Sequence, residues 1–167
     1  YGDLATGAGD YLPPARLFTP RYLLDGAEAC VNDDYGLHCA DPPSWVAEVP
    51  QLANVASIAI QPNFGCALDD SGVRCWGDNE LGQLDVPGLS NPTRVAAGTS
   101  HTCALDDTGV HCWGDNTRRQ LEIPPDIESP FDLAAYGDNT CVLDADGVRC
   151  WGANEFDQTV VLSLIHI

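Results

Sequence analysis

The sequence predicts an all-β protein built from about four copies of one repeated unit. Eight cysteines form four pairs, and the two members of every pair stand nine positions apart. The first members recur after 36, 37 and 38 residues, a period typical of propellers, solenoids and similar arrays. No segment of helical length carries a sustained 3.6-residue apolar period, so the repeated elements are predicted to be strands. The pairs are Cys30 with Cys39, Cys66 with Cys75, Cys103 with Cys112, and Cys141 with Cys150.

Each cysteine pair frames a predicted β-hairpin. The clearest copies read CALDDSGVRC from Cys66, CALDDTGVHC from Cys103 and CVLDADGVRC from Cys141, whereas CVNDDYGLHC from Cys30 is degenerate. In every copy an apolar-rich stretch runs into an acidic four-residue segment that ends in glycine. Aspartate side chains bond to nearby backbone in turns, and glycine tolerates a positive φ. The pattern therefore predicts two antiparallel strands joined by a four-residue loop.

Counting back from the Asp69–Gly72 turn predicts the strand register. Leu68 then faces Val73, and Cys66 faces Cys75 on the same side of the sheet. Opposed Cα atoms lie about 4.5–5.5 Å apart, within the range of about 4.4–6.8 Å that disulfides accept. We therefore expect one disulfide in each repeat, and an oxidising location that is extracellular, cell-surface or periplasmic. Zinc is disfavoured because its ligands usually stand two to four residues apart.

Further elements surround each hairpin. A third strand is predicted before it, over Asn54–Ile60, Arg94–Ala97 and Phe131–Ala135, with Arg21–Leu24 as a weaker equivalent. A spaced polar set follows each good hairpin, and we expect its tryptophan to pack between units and its Asn and Gln to bond turn backbone. The three sets are Trp76, Gly77, Asn79 and Gln83; Trp113, Gly114, Asn116 and Gln120; and Trp151, Gly152, Asn154 and Gln158.

The composition excludes several classes of protein. Hydrophobic residues make up 44% of the chain, which excludes a disordered tail despite a net charge of −18. The seven basic residues are scattered, so neither nucleic acid nor an anionic membrane is predicted as a partner. No apolar run is long enough to predict membrane insertion. No motif predicts a cofactor or a resident metal.

The ends of the chain predict a fragment. The sequence contains no methionine, and its opening resembles the tail of a preceding repeat, so repeats of the parent chain are expected to be missing. Residues 162–167, LSLIHI, match a translated transposase adaptor and are predicted to lie outside the fold, although a natural apolar strand is the alternative. The predicted units are 1–21 (tail of a truncated repeat), 22–55 (degenerate repeat), 56–92, 93–130 and 131–161 (truncated repeat).

The run HTCALDDTGVHCWGDN, followed by Gln120 and Leu121, resembles the regulator-of-chromosome-condensation repeat. The resemblance covers about residues 20–160, and His101 matches a histidine that the family carries before its hairpin. Phe64, Asn139 and Glu28 replace that histidine in the other copies. Gly82 matches the family glycine, whereas Arg119 and Asp157 stand in its place in the later copies, and the first copy lacks Trp-Gly, having Ala40 and Asp41.

The resemblance implies a β-propeller of about seven four-stranded blades. This chain is then an open arc of about four blades, three good and one degenerate, and its paired cysteines resemble those of a secreted bacterial form. The family binds proteins through loops at one end of the ring: the founding nuclear member promotes nucleotide exchange on a small GTPase, and a secreted bacterial member inhibits β-lactamases. We therefore predict a non-catalytic module that binds an unidentified protein. A structural or adhesion repeat is the alternative, and an exchange-factor or inhibitor activity ranks third.

Four residue patterns suggest chemistry at first sight. Ser100, His101 and Asp106 form no triad in the predicted strand, because adjacent residues point to opposite faces. A thiolate pair of His101 with Cys103 is removed by the disulfide. The segment from Asp144 to Gly147 lacks the spacing of an EF-hand calcium loop. A basic residue precedes the second cysteine in each copy, and it either pairs with a turn carboxylate or contacts an anionic ligand; these residues are His38, Arg74, His111 and Arg149.

Overall fold

Acidic turns and strand-length apolar runs alternate along the chain, and every described strand is antiparallel to its neighbour. The computed structural model describes residues 30–33, 36–39 and 49–160, with side chains only within 49–160. The strands form a hairpin, β1–β2, and three sheets of three strands: sheet I (β3–β4–β5), sheet II (β6–β7–β8) and sheet III (β9–β10–β11). The all-β prediction is confirmed. The strands are β1 Cys30–Asp33, β2 Gly36–Cys39, β3 Ser57–Ile60, β4 Phe64–Asp69, β5 Gly72–Gly77, β6 Arg94–Ala97, β7 His101–Asp106, β8 Gly109–Gly114, β9 Asp132–Tyr136, β10 Asn139–Asp144 and β11 Gly147–Gly152.

The hairpin register agrees with the count made from the sequence. Leu68 pairs with Val73 and Cys66 with Cys75, and the equivalent pairs recur in sheets II and III. The turn is tighter than predicted, because pairing continues to Asp69 and Gly72 and leaves two residues in the turn. The Asp69 carboxylate accepts the Ser71 N–H at 2.8 Å, and Gly72 adopts a φ of +101°. Together these features close the hairpin in two residues.

The third strand of each sheet lies close to its predicted place. Arg94–Ala97 agrees with the prediction, and the third copy is displaced by one residue to Asp132–Tyr136. In the first copy the strand begins at Ser57, because Asn54 has a φ of +53° and breaks the extended conformation. Arg21–Leu24 lies outside the described residues, as do 1–21, most of 22–55, and 162–167. Each of sheets I–III has three strands, one fewer than the blade that the resemblance implies.

The hydrophobic core lies between successive sheets. Cys66 and Leu68 on one face of sheet I pack against Val95 and Ala97 of sheet II. The equivalent face of sheet II, with Cys103 and Leu105, packs against sheet III through the side chains Leu133, Val142 and Trp151. Stacking therefore supplies the core that a single three-stranded sheet lacks, as in radial and linear repeat arrays.

Three predicted disulfides are confirmed. Cys66–Cys75, Cys103–Cys112 and Cys141–Cys150 join directly opposed residues whose Cα atoms lie 4.0–4.1 Å apart. Cys30 and Cys39 occupy the same opposed register in β1 and β2, but their side chains lie outside the described residues. The fourth disulfide stays a prediction, which non-reducing peptide mapping tests. Each bond closes a loop of about ten residues and is worth about 2–3 kcal/mol in the chain-entropy model.

We expect a small dithiol to reduce Cys141–Cys150 roughly tenfold faster than the other two bonds, because exchange requires access to a sulfur. Cys66 and Cys103 have no exposed surface, whereas both sulfurs of the sheet III bond belong to half-buried residues. Alkylation at timed intervals followed by peptide mass spectrometry measures the order. Reduction of Cys103–Cys112 first would contradict the stacking of sheets II and III.

Candidate interaction site at the loop end of the sheets

Each hairpin is followed by a loop that folds back over one end of its sheet. We call these segments, residues 78–84, 115–121 and 153–159, the tip loops. The end of the sheets that they cover is the loop end. The hairpin turns lie at the opposite end, which we call the turn end. Asp115 N–H donates to Ser100 O at 2.9 Å and starts the second tip loop against the β6–β7 turn. Gly114 has a φ of +104°, and a Cβ there would lie 2.7 Å from Ser100 O. Only glycine fits this close approach.

The predicted Asn and Gln residues fix the tip loops. Gln83 Oε1 accepts the Leu81 N–H at 2.9 Å, and Asn79 Oδ1 accepts the Leu84 N–H at 2.8 Å. The same two bonds recur at 2.7 and 3.0 Å through Gln120 and Asn116. They recur again at 2.8 and 3.1 Å through Gln158 and Asn154. The constant Asn-to-Gln spacing therefore reflects one clamp built three times.

An aspartate reinforces the first two clamps. Gln120 Nε2 donates to Asp115 Oδ2 at 3.0 Å, and Gln83 makes the equivalent bond to Asp78 at 3.2 Å. Burial opposes ionisation of Asp115, but the hydroxyl and N–H of Thr117 and the Gln120 amide outweigh it, so the pKa of Asp115 lies below its usual value. The third copy has Ala153 at this position. Its loop is held by the Asn and Gln bonds without the aspartate.

The side chains at the loop tips differ between the copies. Leu81 is 51% exposed and Phe156 is 82% exposed, and Arg118 at the equivalent position is also exposed. Arg118 forms an ion pair with Glu155, so the second and third loops contact each other. A clamp that is the same in each repeat thus presents a different side chain each time.

The next position of each tip loop requires a positive φ. Gly82 has a φ of +78°, Arg119 +65° and Asp157 +58°. The sequence showed that the glycine was lost in the later copies, but not that its backbone conformation is kept. A non-glycine residue in this region costs of order 1 kcal/mol or more. The Arg119 side chain forms no ion pair with any residue of 49–160, and the contacts described for this residue are backbone bonds to Asn116 and Glu122.

Two of the predicted tryptophans, Trp113 and Trp151, join their sheets to the tip loop before them. Trp113 Nε1–H donates to Gln83 O at 2.9 Å, and Trp151 Nε1–H donates to Gln120 O at 2.8 Å. Trp76, Trp113 and Trp151 are 4%, 7% and 6% exposed, as expected of residues packed between units. Gln83 and Gln120 therefore each fix their own loop through the side chain and the next sheet through the carbonyl.

His101 is a buried structural residue in this arrangement. It has no exposed surface, and its Nε2 lies 2.8 Å from Thr140 Oγ1 in sheet III. Burial lowers the pKa of His101 to about 4, although Asp138 and Asp115 act in the opposite direction. Asp106 lies at the other end of β7, so the structure assembles no Ser-His-Asp triad from these residues.

The basic residues before the second cysteines pair with turn carboxylates. Arg74 pairs with Asp69, and His111 Nε2 lies 3.1 Å from Asp106 Oδ1. In sheet III, Arg149 lies 3.7 Å from the buried carboxylate of Asp144. These contacts favour the structural interpretation over a ring of groups for an anionic ligand. The side chain of His38 lies outside the described residues.

Asp69 and Asp106, two buried turn aspartates, are held in their ionised form. Burial opposes ionisation of Asp106, but the Ser90 and Thr108 N–H groups, the Thr108 hydroxyl and His111 outweigh it and lower its pKa. The pKa of Asp69 is lowered in the same way by Ala53, Ser71 and Arg74. Across residues 49–160, no three His, Cys, Asp or Glu side chains converge in a way that could hold a metal ion. That part of the chain also contains no helix long and apolar enough to cross a bilayer.

Comparison with known proteins agrees with this architecture. The sequence model of the regulator of chromosome condensation (RCC1) repeat matches residues 55–83, 93–120 and 132–158. Each match comprises one of sheets I–III and all but the last residue of its tip loop. No curated protein sequence matches the chain.

Solved structures share the fold. The ectodomain of the Physcomitrella patens receptor kinase CR4 is similar with a TM-score of 0.59 and 23% identity, over 77% of this chain and 39% of that one. Saccharomyces cerevisiae Prp20p, whose structure is described together with its binding to Gsp1p and histones, is similar with a TM-score of 0.58 and 18% identity. The similarity covers 81% of this chain and 41% of that one. Yeast RCC1 (Prp20) bound to Kap60 is similar with a TM-score of 0.59 and 16% identity, over 84% of this chain and 40% of that one.

The chain spans about two fifths of the length of these three proteins. Identities below 25% show the fold alone, so the family assignment rests on the repeats themselves. The matched segments account for half of the sequence, and each coincides with a disulfide-stapled sheet whose tryptophan and tip-loop clamp recur at equivalent positions. The chain therefore belongs to the regulator-of-chromosome-condensation repeat family.

Proposed function

We propose that this protein is a non-catalytic binding module of a secreted or cell-surface protein, and that it engages a protein partner through its loop end. One observation carries the proposal. Within the tip loops, the Asn and Gln residues that recur hold the loop backbone, whereas the tip residues Leu81, Arg118 and Phe156 differ and are exposed. A surface that varies on a constant scaffold is typical of a binding site.

The chemistry of the tips suits a protein surface. Leu81 and Phe156 offer exposed apolar groups, and Arg119 offers an exposed cation. Aromatic and arginine side chains are enriched among the residues that dominate protein interfaces. The clamps hold the tips before binding, which lowers the entropic cost of association. The strained backbone of Arg119 also fits a residue kept for binding rather than for folding.

Two structural neighbours support a protein as the class of partner. Prp20p is described with binding to Gsp1p and histones, and yeast RCC1 (Prp20) is described in complex with Kap60. The titratable groups described above lie in structural bonds, which favours binding over catalysis. The three disulfides favour an oxidising compartment outside the cytosol.

Replacing Arg119 by glycine is expected to raise the free energy of unfolding by up to about 1 kcal/mol, because the strain at a φ of +65° is relieved. Chemical denaturation measures the change. The parallel variant Asp157→Gly controls for the same relief in the third loop. Clear destabilisation by Arg119→Gly would show that its side chain makes a folding contact.

The experiment for the proposed function separates binding from folding. The protein is cross-linked to extracellular proteins that bind it. A captured candidate partner is then purified, and its affinity for the protein is measured by calorimetry. The double variant Arg119→Gly, Phe156→Ala is expected to lose at least tenfold in affinity while keeping its fold, as hot-spot residues do. Asp70→Asn at the turn end serves as the matched control. Equal affinity of the double variant and the wild type would refute the loop end as the site.

A further inference from the structure

A second surface lies at the turn end, between sheet II and the connector that leads to sheet III. A cavity of about 470 Å³ opens to solvent between the β7–β8 turn and the connector that leads from the second tip loop to β9. Its volume falls in the range of sites that hold small ligands or side chains. The cavity is lined in part by Asp107, Val110, Ile123, Pro124, Ile127 and Pro130.

The connector beside the cavity departs from the repeat. Pro125 and Asp126 stand where the preceding connector has the single residue Gly88. The two earlier connectors are tied to their turns, since Ala53 N–H donates to Asp69 at 3.0 Å and Ser90 N–H donates to Asp106 at 2.7 Å.

The third connector is not tied in this way. The equivalent acceptor, Asp144 Oδ2, is buried and receives no hydrogen bond within residues 49–160. The longer connector is held to sheet III by an ion pair of Asp126 with Arg149 instead, and its backbone does not bond the turn aspartate as the backbones of its predecessors do. The extra residue and the cavity occur in the same segment.

The cavity has an apolar inner surface, which we call its floor, and an acidic edge. Val110, Ile123 and Ile127 are half-buried and apolar, and Asp107 is exposed at the edge. Glu128, also exposed, lies in the same connector. No basic side chain lines the cavity, and the whole chain has a net charge of −18 with seven basic residues. Such a surface attracts a cation and at the same time offers room for an apolar group.

We propose that this cavity binds a short peptide segment of another protein, with one aliphatic side chain on the floor and a neighbouring Lys or Arg paired with Asp107. This site is separate from the loop end, because it lies at the opposite end of the sheets. It adds to the proposed function an interaction with a basic, apolar peptide.

Two synthetic heptapeptides test the chemistry. The sequence Gly-Ser-Arg-Leu-Arg-Ser-Gly carries the predicted features, and Gly-Ser-Glu-Leu-Glu-Ser-Gly reverses the charge. Each is titrated into the ¹⁵N-labelled protein, and backbone amide shifts report the affinity and the place of binding. We expect saturable shifts of residues 107–110 and 123–130 with the arginine peptide and no saturable shifts with the glutamate peptide.

Two protein variants locate the site. Asp107→Asn is expected to weaken binding about threefold, as for one exposed ion pair. Asp70→Asn is the matched control, because Asp70 and Asp107 accept the same bonds, from Asn54 at 2.5 Å and Asn91 at 2.6 Å, but Asp70 does not line the cavity. Replacing Pro125 and Asp126 by one glycine restores the preceding connector length and is expected to abolish binding.

The proposal is overturned if neither peptide binds, if both bind equally, or if the shifts map to another surface. It is also overturned if Asp70→Asn weakens binding as much as Asp107→Asn. Unchanged indole N–H signals of Trp113 and Trp151 verify that each variant keeps its fold. If the shortened connector unfolds sheet III, the comparison of Asp107→Asn with Asp70→Asn decides whether the peptide binds in the cavity.

Discussion

Replacing Trp113 by alanine is expected to lower the free energy of unfolding by about 3–5 kcal/mol, the usual cost of removing a large core aromatic. The indole is 7% exposed between sheets I and II, and its N–H donates to Gln83 O at 2.9 Å. The substitution leaves a void between the sheets and removes one of two bonds that sheet II donates to Gln83 O, the other coming from the Thr102 hydroxyl. Urea denaturation followed by circular dichroism measures the loss.

A matched aromatic at the surface controls for this effect. Phe156 is 82% exposed, and Phe156→Ala is expected to change the free energy of unfolding by less than about 0.5 kcal/mol. Similar stabilities of the Trp113 and Phe156 variants would show that the tryptophan does not join the sheets.

Acidification from pH 6.5 to pH 4 is expected to remove about 3 kcal/mol of stability through His101. Burial lowers the pKa of His101 from 6.5 to about 4 in the folded protein. The unfolded chain therefore takes up the proton first, and stability is complete above pH 6.5, falls through the interval, and levels off below pH 4. Each pH unit contributes about 1.4 kcal/mol in that interval.

The repeat provides its own control for this titration. Phe64 occupies the position of His101 in sheet I, so His101→Phe places a residue there that the fold already accepts. The variant loses the bond to Thr140, but its free energy of unfolding should depend less steeply on pH between 6.5 and 4. The difference in slope, measured by urea denaturation at several pH values, isolates His101. Parallel pH profiles of the two proteins would contradict the burial of a neutral imidazole.

Features that depend on spacing within one repeat could be predicted from the sequence. The prediction that Cys66 lies opposite Cys75 required only the length of the turn and the two-residue period of a strand. The turn itself was predicted two residues too long, because pairing of Asp69 with Gly72 depends on a bond from Ser71 that the residue pattern does not specify. The third strand was placed to within one residue wherever no left-handed residue interrupted it.

Features that depend on the folded backbone rather than on spacing were less accessible. The sequence showed a basic residue before each second cysteine but left its role open, because the partner is chosen by the fold of the turn. The sequence shows that Arg119 replaces the glycine of the first tip loop, but it does not show that the backbone keeps a positive φ of +65° there. The cavity beside Ile127 arises from a longer connector, which appeared in the sequence only as a repeat period of 38 instead of 37.

Trp113 and Trp151 hold sheets II and III to the preceding tip loops, and on the proposed function the exposed tips are then free to bind. Hydrogen exchange of the indole N–H groups of Trp113 and Trp151, followed by ¹⁵N NMR, tests this most directly. If both N–H groups donate to buried Gln83 and Gln120 carbonyls, they should exchange only when the sheets separate, at the same slow rate as the core amides of β7 and β10. Exchange of either indole much faster than these amides would contradict the stacked arrangement.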